Sequence, residues 1–333
     1  MSQNLIKLID NFQNKKIMII GDMVADVYLE GRISRISREA PVLVLEHAGE
    51  TVVPGGAANA VHNAATLGGA VYAVGVVGQD SAGLELTNIL KTKNVNTEGV
   101  IIDPSRPTIT KTRIMAGGQA TVRQQIVRVD RESKEELTHD VNQKLLKFIE
   151  ATIPGMDAVV ISDYGSMSIS PAIREQVVET CNRAGVASMV DSRYNVMAYS
   201  GIKFVKQNES EAAAAVGYKT LSNDDQLKYA AGTILERLDA EVVLITQGSE
   251  GMTLFHRNGF TIHIPVTNIS KVYDVTGAGD TVVVTMMLAL AAGADYADAA
   301  RLANFAAGIV VRKPGTATTT PEELKAAIGE YYL

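Results

Sequence analysis

Six stretches of the chain are apolar over the length of a strand: KIMIIGD (16–22), AVYAVGVVG (70–78), DAVVISD (157–163), ASMVDS (187–192), KFVKQNE (203–209) and EVVLITQG (241–248). Near-continuous apolar runs of this kind mark strands buried on both faces. Between them, apolar positions recur with helical spacing over 57–67, 83–93, 135–153, 171–184, 209–216 and 224–238. The alternation predicts an α/β fold, a doubly wound and mostly parallel sheet with helices on both faces. Two stretches break the rhythm. Residues 27–53 and 100–130 hold short strand-like pieces and turn residues but no helical pattern, and each leaves the α/β pattern and returns to it. They are expected to pair as a small β-sheet lid inserted into one α/β domain spanning 1–333.

In an open α/β sheet the ligand lies beyond the carboxyl ends of the strands. The residues expected there are polar: Asp22 and Asp26, Gly78 and Asp80, Asp163, Asp191, Asn208, and Thr246 with Gly248. Singly, each reads equally well as a cap or a turn; together they outline one edge of the molecule. A further carboxylate, Asp280, follows Gly277, Ala278 and Gly279 in VTGAGDTVVVTMMLALAA (275–292), and the run after it stays uncharged from Thr281 as far as Ala294. One reading makes Asp280 a helix N-cap. Another makes the small residues and the helix N-terminus an anion hole, with Asp280 beside it as a general base. The apolar run itself reads as a buried helix.

Composition narrows the classes. A chain of 333 residues with 46% hydrophobic residues can bury a large core. Its uncharged apolar runs are shorter than a membrane span, and MSQNLIKLIDNFQNKK lacks the apolar core of a signal peptide, so a soluble cytoplasmic protein is expected. The single cysteine, Cys181, has no disulfide partner and sits in a helical pattern as a structural thiol; the five histidines show no metal-ligand spacing. A net charge of −6 argues against nucleic-acid binding. Within this acidic chain, Arg106, Lys111, Arg113, Arg123 and Arg128 form a stretch without an acid, and Arg32, Arg35 and Arg38 sit in the other lid segment. Some of these are a solvated face. Strand alternation, however, places Lys111 and Arg113 side by side, a fork suited to a phosphate. There is no Gly-Lys for a P-loop, no G-x-G-x-x-G after an early strand and no G-x-S-x-G.

The pieces GDMVAD (21–26), PGGAANAVHNAATLG (54–68), VGVVGQDSAG (74–83), NESE (208–211), TQGSEG (246–251), DVTGAGD (274–280) and ANFAAGIVVRKPGT (303–316) resemble, in order and spacing, the ribokinase-like or PfkB carbohydrate kinases. SRISREAPV (34–42), PTITKTRI (107–114), IVRVDRE (126–132) and VYDVTGAGDTV (272–282) are similar to the D-glycero-β-D-manno-heptose 7-phosphate 1-kinases within that family. Some of those chains continue into a nucleotidyltransferase with an H-x-G-H motif, which this sequence lacks, so the kinase step alone is expected. Two departures stand out: Gln207 where the pattern has Pro before Asn208, and Ser192-Arg193 where it has Pro-Lys after Asp191.

The resemblance implies an ATP-dependent kinase that phosphorylates the anomeric hydroxyl of the heptose phosphate, with Asp280 as base and Gly277, Ala278 and Gly279 as the anion cradle. Asp26, Gly55, Gly56 and Asn59 match the sugar side, where Lys111 and Arg113 are the candidates for the remote phosphate. Asn208, Thr246, Gly248, Gly251, Asn304 and Gly315 match the nucleotide side. Glu211 would hold Mg²⁺ through water, and Asp274 and Thr276 match a potassium site of some relatives. A capping box is the bland reading of Asn208 with Glu211, and a plain turn that of Gly55-Gly56. A homodimer through the lids is expected, because open sheet edges need cover. Rival readings are a kinase for another sugar, sugar phosphate or nucleoside, and a non-catalytic sugar-binding regulator.

Overall fold

The computed structural model describes residues 2–117, 124–267 and 272–332. Its strands are β1 (Lys16–Gly21), β2 (Met23–Ile36), β3 (Leu43–Gly56), β4 (Ala70–Gly78), β5 (Asn96–Asp103), β6 (Ile109–Gly117), β7 (Gln124–Arg131), β8 (Ala158–Asp163), β9 (Ala187–Ser192), β10 (Phe204–Asn208), β11 (Val242–Thr246), β12 (Met252–His256) and β13 (Thr261–Ile264). Among the described residues they form a large sheet in the order β13-β12-β11-β10-β9-β8-β1-β4-β5 and a second sheet in the order β3-β2-β6-β7. From β11 to β5 every pairing in the large sheet is parallel, and β12 and β13 add antiparallel strands at one edge.

Alternate residues of the parallel strands supply two cores. Ile17, Ile19, Val160, Met189 and Leu244 pack on one side with the helices Ala57–Thr66, Ala278–Ala291 and Tyr296–Val310. Met18, Ile20, Val159, Val190 and Ile245 face the other side, under His139–Thr152, Pro171–Ala184 and Asp224–Leu238. The Ala278–Ala291 helix is buried continuously from Asp280 to Ala289. Its lack of a polar face is explained by neighbours on every side.

The second sheet grows directly out of the first. Only Asp22 separates β1 from β2, and β3 runs straight into the Ala57–Thr66 helix. β2 and β3 form an antiparallel pair from Met23↔Gly56 to Ile36↔Leu43, and β6 joins β2 in parallel with Asp26 opposite Lys111 and Tyr28 opposite Arg113. The two irregular segments thus pair as expected, but their limits differ. The lid strands begin at Met23 and end at Gly56, so Asp26 is itself on the lid. Residues 100–103, expected in the lid, belong to β5 and pair with β4 in the large sheet. Arg123 lies outside the described residues.

Candidate active site

Asp280 stands in the first turn of its helix and is 4% exposed. It does not cap that helix. The N-cap is Gly277, at φ 79°, with no side-chain cap bond, so the capping reading fails. Instead the carboxylate is held by two other elements: Asn59 Nδ2 donates to Oδ2 at 2.8 Å and the Tyr164 hydroxyl donates to Oδ1 at 2.9 Å. A Cβ on Gly277 would lie 2.5 Å from Asn59 Nδ2, so glycine there serves both the left-handed turn and the approach of Asn59. Asn59 is fixed in turn. Asn63 donates to its side-chain oxygen at 3.1 Å, and Thr281 donates to Asn63 at 3.0 Å. Burial pushes the Asp280 pKa up to about 6; Asp191 adds to the rise, while the bonds from Asn59 and Tyr164 and the charge of Lys206 oppose it.

Tyr164 owes its place to Asp22, which follows β1. The buried Asp22 Oδ2 accepts from the Tyr164 and Ser166 backbone N–H groups at 2.8 and 3.3 Å. Asp163 accepts from Ser192 and Tyr199, and Asp80 caps its helix at Gly83 and binds the Thr108 N–H at the foot of β6. These three carboxylates, gathered at the predicted edge, serve as structural clasps around the site. Asp191 is different: it pairs with Lys206 at 2.8 Å behind the Gly279 turn.

On the lid, Asp26 Oδ1 lies 2.7 Å from Arg113 Nη1 in a largely buried ion pair. The Arg113 guanidinium also lies 5.4 Å from the centre of the Tyr28 ring, and Lys111 Nζ lies 5.2 Å from that of Tyr164. Lys111 and Arg113 do share a face, and that face looks toward the residues around Asp280. Arg113 is nevertheless not a free phosphate fork, because Asp26 already engages it. Gly55 has no room for a side chain: its Cβ would lie 2.7 Å from Asp26 Oδ2. Gly56, at φ 51°, would drive a Cβ to 2.8 Å from the Asp22 carbonyl. Elsewhere in the basic stretch, Arg106 is spent on Asp103 and the Glu135 carbonyl, Arg128 pairs with Asp130, and Arg32, Arg35 and Arg38 are exposed.

On the other side of Asp280, Asn208 and Glu211 form a capping box, each side chain bonding the other's backbone N–H at 2.8 Å. The bland reading of this motif is therefore correct locally. It leaves Glu211 Oε1 for other work, and burial together with Asp191 raises the Glu211 pKa. Thr246 lies beside Asn208 in the parallel register. Gly248 and Gly251 shape the turn after it; a Cβ on Gly251 would strike the Ile264 carbonyl, so this glycine is needed for the β11–β13 meander. Asn304 donates to the Pro265 carbonyl at 2.7 Å. Asp274 accepts from the Thr276 N–H and hydroxyl and, at 3.0 Å, from the Gly315 N–H, which together hold its pKa down against partial burial.

Two residues of this constellation escaped the sequence reading. Tyr164 carried no motif of its own, and its only signal was its place after a predicted strand. Lys206 did leave a trace: it is a charge in the middle of the strand-like stretch KFVKQNE.

A buried carboxylate with a raised pKa, held by two neighbours in the first turn of a helix that opens on small residues, has the chemistry to take a proton from a hydroxyl, and such a helix end the chemistry to receive an anion. That division of labour is the one a phosphotransferase acting on an alcohol group requires, and the comparisons agree with it. The chain belongs to the pfkB family of carbohydrate kinases, whose profile matches residues 14–323. It is 41% identical over 320 residues to the bifunctional protein HldE of Desulfatibacillum aliphaticivorans, covering 95% of this chain and 64% of that protein. It is 40% identical over 314 residues to that of Trichlorobacter lovleyi, covering 94% and 62%. The chain thus spans less than two thirds of these relatives. Among solved structures, the ribokinase of Arabidopsis thaliana complexed with ribose and ATP superposes with a TM-score of 0.73 at 20% identity, over 95% of this chain and 99% of that one. Phosphofructokinase-2 from Escherichia coli in complex with potassium gives 0.73 at 19%, over 96% and 100%. Among the described residues, no helix is long and apolar enough to cross a membrane.

Proposed function

We propose that this sugar kinase uses ATP to phosphorylate the anomeric hydroxyl of D-glycero-β-D-manno-heptose 7-phosphate, giving the 1,7-bisphosphate. The observation that carries the reading is the lid strand β6, which sets the Lys111 ammonium over Tyr164, the residue that holds Asp280. A cation over the ring of the tyrosine that binds the base, set back from the base itself, suits an acceptor that is itself a phosphate ester. The similarity to the HldE proteins supports the same acceptor class.

In this scheme Asp26 and Asn59 grip the sugar, and Asp280 takes the proton of the attacking hydroxyl. The N–H groups of Gly277, Ala278 and Gly279 stabilise charge on the phosphoryl group in flight. Lys111 holds the remote phosphate, and Arg113 orients Asp26 as well as adding charge. ATP supplies the phosphoryl group, on the side of Thr246, Gly248 and Gly315. Magnesium fits at Glu211, since a desolvated carboxylate near a second acid favours a cation, and Mg²⁺ keeps most of its waters. Asp274 uses three acceptor positions internally, and a potassium ion would take what remains of its roughly four lone-pair sites. A homodimer through the lids and a cytoplasmic location complete the proposal. The test is ADP release with Mg-ATP across free sugars, sugar phosphates and nucleosides. Turnover highest with the heptose 7-phosphate is expected; a better unphosphorylated acceptor would replace this reading with that of a kinase for another sugar.

A further inference from the structure

The two places where the chain departs from the family pattern, Ser192-Arg193 and Gln207, meet in space. β9 and β10 run parallel with Asp191 opposite Lys206, and Gln207 Nε2 donates to the Ser192 carbonyl at 3.0 Å. Beside this clasp the Lys206 ammonium sits 2.8 Å from Asp191 Oδ2, with the two side chains 5% and 16% exposed. A buried ion pair of this kind is a poor source of stability, because desolvation offsets most of its attraction. Its location suggests another use. A Cβ on Gly279 would lie 2.8 Å from Lys206 Nζ and 3.7 Å from Asp191 Oδ2. The pair therefore lies against the helix turn that carries Asp280, one residue further on.

We propose that Lys206 and Asp191 are a charge-balanced positioning pair that sets the ionisation of Asp280 and so the pH range over which the kinase works. The inference rests on the reading of Asp280 as the base. The groups facing Asp280 are the Tyr164 hydroxyl from the turn after β8, the Asn59 amide from the Ala57–Thr66 helix, Asp191 from β9 and Lys206 from β10. Lys111 lies over the Tyr164 ring, and Glu211 acts on Tyr164 and Lys206. Within this set Asp191 disfavours a charged Asp280 and Lys206 favours it. Each is needed to offset the other. Loss of the lysine raises the pKa of the base and confines activity to higher pH; loss of the aspartate's charge lowers it and extends activity toward acid.

The experiment is the pH profile of kcat/KM for the heptose 7-phosphate at saturating Mg-ATP, in wild type, Asp191→Asn, Lys206→Met and the double variant. The substrate phosphates titrate identically in all four, so differences between profiles report the protein. The acid limb should move down by about one pH unit in Asp191→Asn, up by a similar amount in Lys206→Met, and return close to wild type in the double variant. A pair that only ties β9 to β10 would lower the melting temperature while leaving the acid limb in place, and that result overturns the proposal. Should Lys206→Met fail to fold with Asp191 left unpaired, the near-isosteric Asp191→Asn decides alone: an unmoved limb refutes the proposal. Asp280→Asn, run in parallel, separates the two readings. If it keeps wild-type turnover, the base assignment itself falls; if it is inactive and the limb is unmoved in Asp191→Asn, only the role of the pair falls.

Discussion

Asp280 accepts one hydrogen bond on each oxygen and still has lone pairs for a third donor, so a substrate hydroxyl can join it without displacing Asn59 or Tyr164. Its folded pKa of about 6 lies above the 3.8 of a free aspartate. Two consequences follow, with opposite signs. As the proposed base it must be ionised, so turnover is expected to fall as pH drops through about 6. As a raised carboxylic acid it makes a stabilising contribution that is complete below the unfolded pKa and lost as pH rises through about 6. Asp280→Asn should therefore reduce turnover by about 10²-fold or more, yet melt no lower than wild type at pH 7. Coupled ADP release and calorimetry measure the two; near-normal turnover would remove Asp280 from the chemistry. Gly55 offers a second test at this scale. Because its Cβ would press on Asp26 Oδ2 at 2.7 Å, Gly55→Ala should raise KM for the acceptor about tenfold or more and leave KM for ATP nearly unchanged. An equal rise for both would place Gly55 outside the sugar grip.

At the level of elements, β6 carries both cations of the proposed phosphate grip, and the two are not equivalent. Arg113 is held in an ion pair with Asp26, so its removal leaves a largely buried carboxylate without its partner. Lys111 makes only a ring contact among its described interactions. Lys111→Met is thus the cleaner probe: kcat/KM for the phosphorylated sugar should fall by roughly 10-fold to 150-fold, the range of one charge-assisted contact, with little change for the sugar lacking that phosphate. Parallel kinetics on the two acceptors decide it, and equal losses would make Lys111 a structural residue of the lid. β1, β4, β8 and β11 were legible because burial on both faces leaves a nearly uninterrupted apolar run, and β9 and β10 were legible from their place in the alternation with helices. Residues 100–103 of β5 read as lid because NTEGVIID, at the sheet edge, is half polar, and β12 and β13 are too short and mixed to stand out. In the site, Asp280, Asn59 and Asp26 could be read from local motifs. Tyr164 and Lys206 could not, since their meaning comes from strands brought together by the fold.

For the whole molecule, the lid leaves apolar side chains in solvent. Ile36 is 67% and Val42 56% exposed at the hairpin tip, and Val129 is 52% exposed on β7. Exposed apolar side chains on a sheet whose outer strands are β3 and β7 call for a partner. Under the proposed assembly, light scattering at micromolar concentration should give twice the chain mass, and an Ile36→Glu, Val42→Glu variant should give one chain mass. A wild-type monomer would refute the lid dimer.

The root of the lid differs from its tip. From Val24 to Arg32, β2 is flanked by β3 on one side and β6 on the other, with a register shift against β3 at Glu30/Gly31; among the described residues, the stretch beyond Arg32 pairs with β3 alone, with a second shift at Ile33/Arg35. Asp26, Tyr28, Lys111 and Arg113 all lie in the braced part. Two residues along a strand span about 6.6 Å, so the row Asp26–Tyr28 against Lys111–Arg113 has fixed graduations. On the proposed reading this root acts as a caliper. It gauges how far a substrate's phosphate stands from its reacting hydroxyl, and it turns away a sugar phosphate of the right charge but the wrong length.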